Sequence, residues 1–90
     1  MPSGRAVRIG DKIAAQLRIR GWTEQQVREA AAGPPIGSST DNTGGRNDPA
    51  TVYGTRPRGY VVVNDLTNEV AQISDKTNPA WVPDNRIRWA

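Results

Sequence analysis

Ala50-Thr51-Val52-Tyr53-Gly54-Thr55-Arg56-Pro57-Arg58-Gly59-Tyr60-Val61-Val62-Val63-Asn64 reads as strand, turn, strand. Ala50–Tyr53 is a short β-favouring run, and Thr55–Gly59 carries the Pro and Gly of a turn. Tyr60–Asn64 is strongly β-branched, the composition of a central strand. Further on, Asp65-Leu66-Thr67-Asn68 turns the chain into a third strand, Glu69–Ser74. Alternation there predicts Val70 facing opposite to Ala71 and Ile73. Arg86-Ile87-Arg88-Trp89 supplies a fourth strand at the end.

Before this stretch the period changes from two to that of helices. Ile9, Ile13 and Leu17 recur four apart, and Ala14 joins their stripe, which predicts a first helix over Asp11–Ile19 ended by Gly21. Thr23-Glu24-Gln25-Gln26 is a capping box that opens a second helix, with Glu24 at its positive end. That helix runs through Val27 and the alanines to Gly33, where Pro34-Pro35 stop it. The stretch 34–47 is Gly, Ser, Thr, Asn and Pro without apolar period, and reads as a mobile surface loop. Met1-Pro2-Ser3-Gly4 reads as a start added to an excised domain, with residues 1–8 a flexible N-terminus. Helices followed by an antiparallel meander predict one α+β domain over 1–90, with two N-terminal helices packed on one face of a four-stranded sheet.

The 90 residues include ten arginines and two lysines but no histidine and no cysteine. This excludes Ser/His/Asp and Cys/His nucleophiles, imidazole acid–base pairs, soft metal sites and disulfides. The nine carboxylates show no metal-ligand spacing, so no metal or cofactor is expected. No apolar run is long enough to span a membrane. A net charge of +3, a pI near 10.0 and a mean hydropathy of -0.66 describe a polar, basic chain. The available chemistry is that of guanidinium, ammonium, carboxylate and backbone groups acting on an anion, which points to phosphates.

Lys12 and Arg20 are the first candidates. Eight residues apart on or just past one helix, they differ by about 80° around its axis, with Cα atoms roughly 12 Å apart. Long side chains converge on one phosphate from that separation; Arg offers a planar fork, and a lysine beside a second cation can exchange a proton. The alternative is two solvated cations compensating a helix dipole. In Gly45-Arg46-Asn47-Asp48-Pro49, Arg46 suits a phosphate and Asn47 or Asp48 a base edge, or else Asn-Asp-Pro simply sets a turn. Of the three tryptophans, Trp89 alternates with arginines as a core residue would, and Trp22 staples a helix start. Trp81, with Lys76 nearby, is the candidate for stacking a base.

Specific strings carry more than composition. Gly45-Arg46-Asn47-Asp48-Pro49-Ala50-Thr51-Val52-Tyr53-Gly54, Tyr60-Val61-Val62-Val63-Asn64-Asp65 and Gln72-Ile73-Ser74-Asp75-Lys76-Thr77 are followed by Pro79, Trp81-Val82, Asp84, Arg86-Ile87 and Trp89. With Arg20-Gly21-Trp22-Thr23-Glu24, they resemble the family of the colicin E-five C-terminal ribonuclease domain, also found in contact-dependent growth inhibition toxins. The resemblance covers about residues 9 to 89. It departs over Pro34–Gly44, which is shorter than the family's lysine-rich loop and has no basic residue.

The resemblance implies a barnase- and RelE-like fold and a metal-independent, histidine-free anticodon nuclease. Such an enzyme cuts tRNAs for Tyr, His, Asn and Asp between the wobble guanine or queuine and the following uridine, leaving a 2′,3′-cyclic phosphate and a 5′-hydroxyl. By position, the family's catalytic residues fall on Lys12, Arg20 and Ile73, the last through its backbone. Arg46, Asn47, Lys76 and Trp81 are the candidates around the dinucleotide pocket. The implied partners are the tRNA anticodon stem-loop and a cognate, acidic immunity protein that blocks the RNA site, with the free domain a monomer that does not insert into membranes. The implied setting is the C-terminal part of a larger toxin, delivered to act in the target-cell cytoplasm. An inactive RNA- or immunity-binding module is the alternative from another class.

Overall fold

The computed structural model describes residues 5–90. Two helices, α1 (Asp11–Leu17) and α2 (Glu24–Ala32), precede five strands: β1 (Pro35–Asp41), β2 (Asp48–Thr55), β3 (Gly59–Asn64), β4 (Val70–Ile73) and β5 (Arg88–Trp89). The strands form one antiparallel sheet in the order β4-β3-β2-β1-β5. The α+β architecture is the expected one, with five strands in place of four.

The additional strand, β1, lies in the stretch 34–47 that reads as a loop. Its Gly, Ser and Thr residues have no apolar face to announce a strand. They are held by backbone pairing on both sides, Ser38–Thr40 against Pro49–Thr51 of β2 and Gly37–Ser38 against β5. A Cβ at Gly37 would lie 2.7 Å from the Arg88 carbonyl oxygen, so glycine is what lets β5 approach.

α1 stops at Leu17, two residues before the expected Ile19. Trp22 N–H donates to the Leu17 carbonyl at 2.8 Å and Gly21 N–H to that of Arg18 at 3.3 Å, with Gly21 at a φ of 79°. This is a Schellman ending, and it fixes where Arg20 and Trp22 leave the helix. α2 opens as expected: the Thr23 hydroxyl accepts from Gln26 N–H while the Gln26 side chain accepts from Thr23 N–H.

The centre of the sheet, around β3, is buried on both faces. Val61, Val63, Val70 and Ile73 face the helices and pack with Ile13, Trp22 and Val27. Ala50, Val52, Tyr60 and Val62 face the other way and pack with Ile87, covered in part by Ile36, Trp81 and Trp89. Val62 pairs with Gln72 but Val63 pairs with Val70, leaving Ala71 as the extra residue of a β-bulge. The expected alternation in this strand is therefore corrected. Val70 and Ile73 both enter the helix-side core, because the bulge adds one residue between them.

Residues 1–4 of the expected flexible N-terminus lie outside the described residues. Residues 5–8 are instead packed against the β3–β4 turn. Val7 is in the core, Val70 N–H donates to the Arg8 carbonyl at 2.9 Å, and Arg5 reaches Asp65 at 2.8 Å.

Candidate active site

Two ends of α1 and the strand β4 beside it make the site. The Schellman turn after α1 delivers Arg20 to the end of β4, where its Nη1 donates to the Ile73 carbonyl at 2.8 Å. Two more bonds stitch this corner: Trp22 Nε1 donates to the Ser74 carbonyl at 2.8 Å, and Lys76 N–H to the Arg20 carbonyl at 3.0 Å. The Arg20 guanidinium also stands 5.4 Å from the centroid of the Trp81 ring, a cation–π contact. Trp81 is held in turn by its Nε1, which donates to the Tyr60 hydroxyl at 3.2 Å.

Lys12, in the first turn of α1, lines a groove of about 290 Å³. Val62, Ala71 and Gln72 of the sheet line it together with the end of β1, Asn42 and Thr43, and with Asp84 and Arg86. Lys12 thus shares a groove with Ala71 and Gln72 of β4, while Arg20 bonds to the next residue of that strand, Ile73. The bulge at Ala71 is what turns that residue and Gln72 to the groove rather than alternating between faces.

The other sequence candidates fall at the two ends of β4. Arg46 lines a second groove with Lys12 and Asp41, and its Nη2 pairs with Asp48 at 2.9 Å. Asn47 is exposed at a φ of 53°, the conformation a tight turn into β2 requires. At the opposite end, Lys76 lies over the Trp22 ring, 3.9 Å from its centroid, and donates to Gln26 Oε1 at 3.1 Å. Partial burial pulls its pKa below the ordinary lysine value. Lys76 therefore belongs to the Arg20 and Trp22 corner, not to the groove of Lys12. Trp22 is more than a staple: its buried ring is the surface on which that corner is built.

The sequence candidates omit Gln72, Asp84 and Arg86, which share the Lys12 groove. Arg86 folds back on Asp84, with Nε at 3.2 Å and Nη2 at 2.8 Å from its two carboxylate oxygens. These bonds from Arg86 hold the Asp84 carboxyl below its usual range. The spacing Asp84-Asn85-Arg86 is the one signal that marks such a turn in sequence. Asp41, across the groove, is pushed up by partial burial. Hydrogen bonds from Thr43 and Asn64 outweigh this, and its carboxyl too lies below the ordinary value.

Behind Asp41 stands Asn64, fully buried. Its amide donates to Asp41 and to Asp48, both at 2.9 Å, and its carbonyl accepts from Leu66 and Thr67 N–H. This one side chain fixes both ends of the β1–β2 connection that carries Arg46. The whole arrangement offers guanidinium and ammonium groups for a phosphate, neutral amides for base edges and an aromatic ring for stacking. Among the described residues, no three carboxylates gather to hold a metal ion.

The chain matches the Colicin E5 ribonuclease domain family over residues 9–86. It is 49% identical over 92 residues to Colicin-E5 of Escherichia coli, covering 92% of this chain and 51% of that protein. It is 47% identical over 89 residues to the tRNA nuclease CdiA of Burkholderia pseudomallei, covering 90% of this chain and 7% of that one. The chain thus spans about half the length of the first relative and a small part of the second.

Proposed function

The chain belongs to the Colicin E5 ribonuclease domain family, and from that premise we propose that it is a toxin endoribonuclease that cuts tRNA in the anticodon loop. The cut lies between the wobble guanine or queuine and the next uridine of tRNAs for Tyr, His, Asn and Asp. The observation that carries this reading is the placement of Lys12 and Arg20 along one strand, with Arg20 anchored on the Ile73 carbonyl.

The reaction needs no water and no redox partner. The ribose 2′-oxygen forms a bond to phosphorus, the bond to the 5′-oxygen breaks, the 2′-hydroxyl gives up its proton and the 5′-oxygen gains one. A guanidinium does not deprotonate in proteins, so Arg20 holds the scissile phosphate and stabilises the charge on the phosphorane-like transition state. Fixing one arm of its fork on Ile73 preorganises the rest, which lowers the cost of ordering it in the reaction. Lys12 assists proton transfer or shares that charge. Alignment of the 2′-oxygen with the leaving oxygen supplies much of the remaining acceleration. Unpaired bases are read on their Watson–Crick edges by the amide and aromatic groups around the groove.

The domain acts in the target-cell cytoplasm as the C-terminal part of a larger delivered toxin. A cognate acidic immunity protein covers the RNA site. A shifted set of tRNAs is the second reading, favoured by the absence of any Lys or Arg over Pro34–Gly44. The test is incubation of the purified domain with total bacterial tRNA in EDTA, with mapping of new 5′-hydroxyl ends. Ends after the wobble base in the four tRNA groups are expected. Ends elsewhere favour the second reading, and no ends with no cyclic phosphate would reduce the domain to a binding module.

A further inference from the structure

The cations of this chain are sorted by position. Among the described residues, Arg5, Arg8, Arg28, Arg46 and Arg86 each lie within 4 Å of a carboxylate. Arg56 and Arg58, two residues apart in the β2–β3 hairpin, belong to the cations that have no such partner. They share a groove with Lys76, also without a carboxylate, and the Arg56 guanidinium lies 4.9 Å from the centroid of the Trp89 ring.

This hairpin is tied to the active site. The Ser74 hydroxyl donates to the Arg58 carbonyl and accepts from Tyr60 N–H, and Lys76 N–H donates to the Arg20 carbonyl. A row of cations therefore leads outward from Arg20 through Lys76 to the hairpin. The nearby carboxylate, Asp75, is occupied by Thr77, whose N–H and hydroxyl both donate to it. The opposite end of β4 differs, because Asp41, Asp48 and Glu69 line or flank the grooves there. A polyanion crossing β4 meets Lys12 among carboxylates and paired arginines on one side, and cations without a carboxylate partner on the other.

We propose that the β2–β3 hairpin, with Lys76 and Trp89, is a phosphodiester subsite for RNA nucleotides that flank the cut. The proposal rests on the ribonuclease reading and deepens it. Arg56 and Arg58 take backbone phosphates, and the ring of Trp89 with the guanidinium above it makes a platform of the kind that unpaired bases stack on. The subsite reads charge rather than sequence, so it adds affinity for a longer RNA without choosing the base at the cut.

The test is a fluorescence-anisotropy titration of a labelled anticodon stem-loop RNA across a range of salt concentrations. The RNA carries a 2′-deoxy sugar at the attacking position, so that it binds and is not cut. Each neutralised phosphate of a single strand contributes about 0.7 to the slope of log K against log salt. The double variant Arg56→Gln/Arg58→Gln should flatten that slope by about 1.4 and weaken binding roughly tenfold at low salt. Arg56→Lys/Arg58→Lys should restore most of the slope, which a fold defect would not allow. An unchanged slope in the Gln variant would overturn the subsite, and if that variant lost only immunity-protein binding the hairpin would be a protein-docking face. No RNA binding by the unaltered chain would instead overturn the ribonuclease reading, and the subsite with it.

Discussion

The Arg20 guanidinium donates to the main-chain carbonyl of Ile73 at 2.8 Å, so a cation at the end of α1 takes its place from the backbone of β4. Removing it should abolish cutting while leaving the fold largely in place, because neither the Trp22–Ser74 nor the Lys76–Arg20 backbone bond needs the side chain. Arg20→Ala is expected to lower kcat by about 10³-fold or more, the scale of losing a donor to a transition-state oxyanion. Initial rates on a labelled stem-loop RNA, with circular dichroism as the control, measure this. Unchanged activity would remove Arg20 from the site.

Lys12 stands at the other end of α1, beside the bulged part of β4. Lys12→Ala should be severe but less absolute than loss of Arg20, about 10²-fold in kcat, as expected for a group that assists proton transfer. The same assay ranks the two variants, and a larger effect at Lys12 would reverse their roles.

Asn64 uses its whole amide on Asp41, Asp48 and the turn at Leu66–Thr67. Asn64→Leu keeps the forked shape of the side chain without its amide and strands those groups in a buried site. A loss of about 3 kcal/mol is expected, which in a domain of this size lowers Tm by about 10–20 °C. Thermal unfolding followed by near-UV circular dichroism reads it, and a shift of only a degree or two would show that the network has little weight.

Asp41 and Asp84 both have folded pKa values below the ordinary carboxylate value. For a depressed carboxyl, the stabilisation is present above the unfolded value of about 3.9 and is lost as pH falls through the lower folded value. The urea midpoint should therefore be level above about pH 5 and fall steeply below about pH 4. Asp41→Asn should lower the midpoint at neutral pH and flatten the acid limb. An unaltered acid limb would mean that Asp41 does not contribute to it.

The legible parts of this fold were those whose signals are local. Thr23 and Gln26 announce the start of α2, and the valines of β3 announce a buried strand. β1 was not legible, since Gly37, Ser38 and Ser39 become a strand only through neighbours on both sides. The bulge at Ala71 was equally hidden, because register depends on the partner strand and not on the residues of β4 alone. At the candidate site, helix spacing together with the family resemblance names Lys12 and Arg20 as candidates. Gln72, Asp84 and Arg86 were not legible, since only tertiary folding brings them to one groove.

β4 has a neighbour on one side only, and an open strand edge invites pairing with another molecule. Here that edge is stoppered at three points: the Arg8 carbonyl takes Val70 N–H, Arg20 takes the Ile73 carbonyl, and Trp22 takes that of Ser74. The middle stopper is the guanidinium proposed to hold the scissile phosphate. Disarming the domain at Arg20 therefore uncovers an acceptor on this edge, so the inactive protein should be the more aggregation-prone of the two.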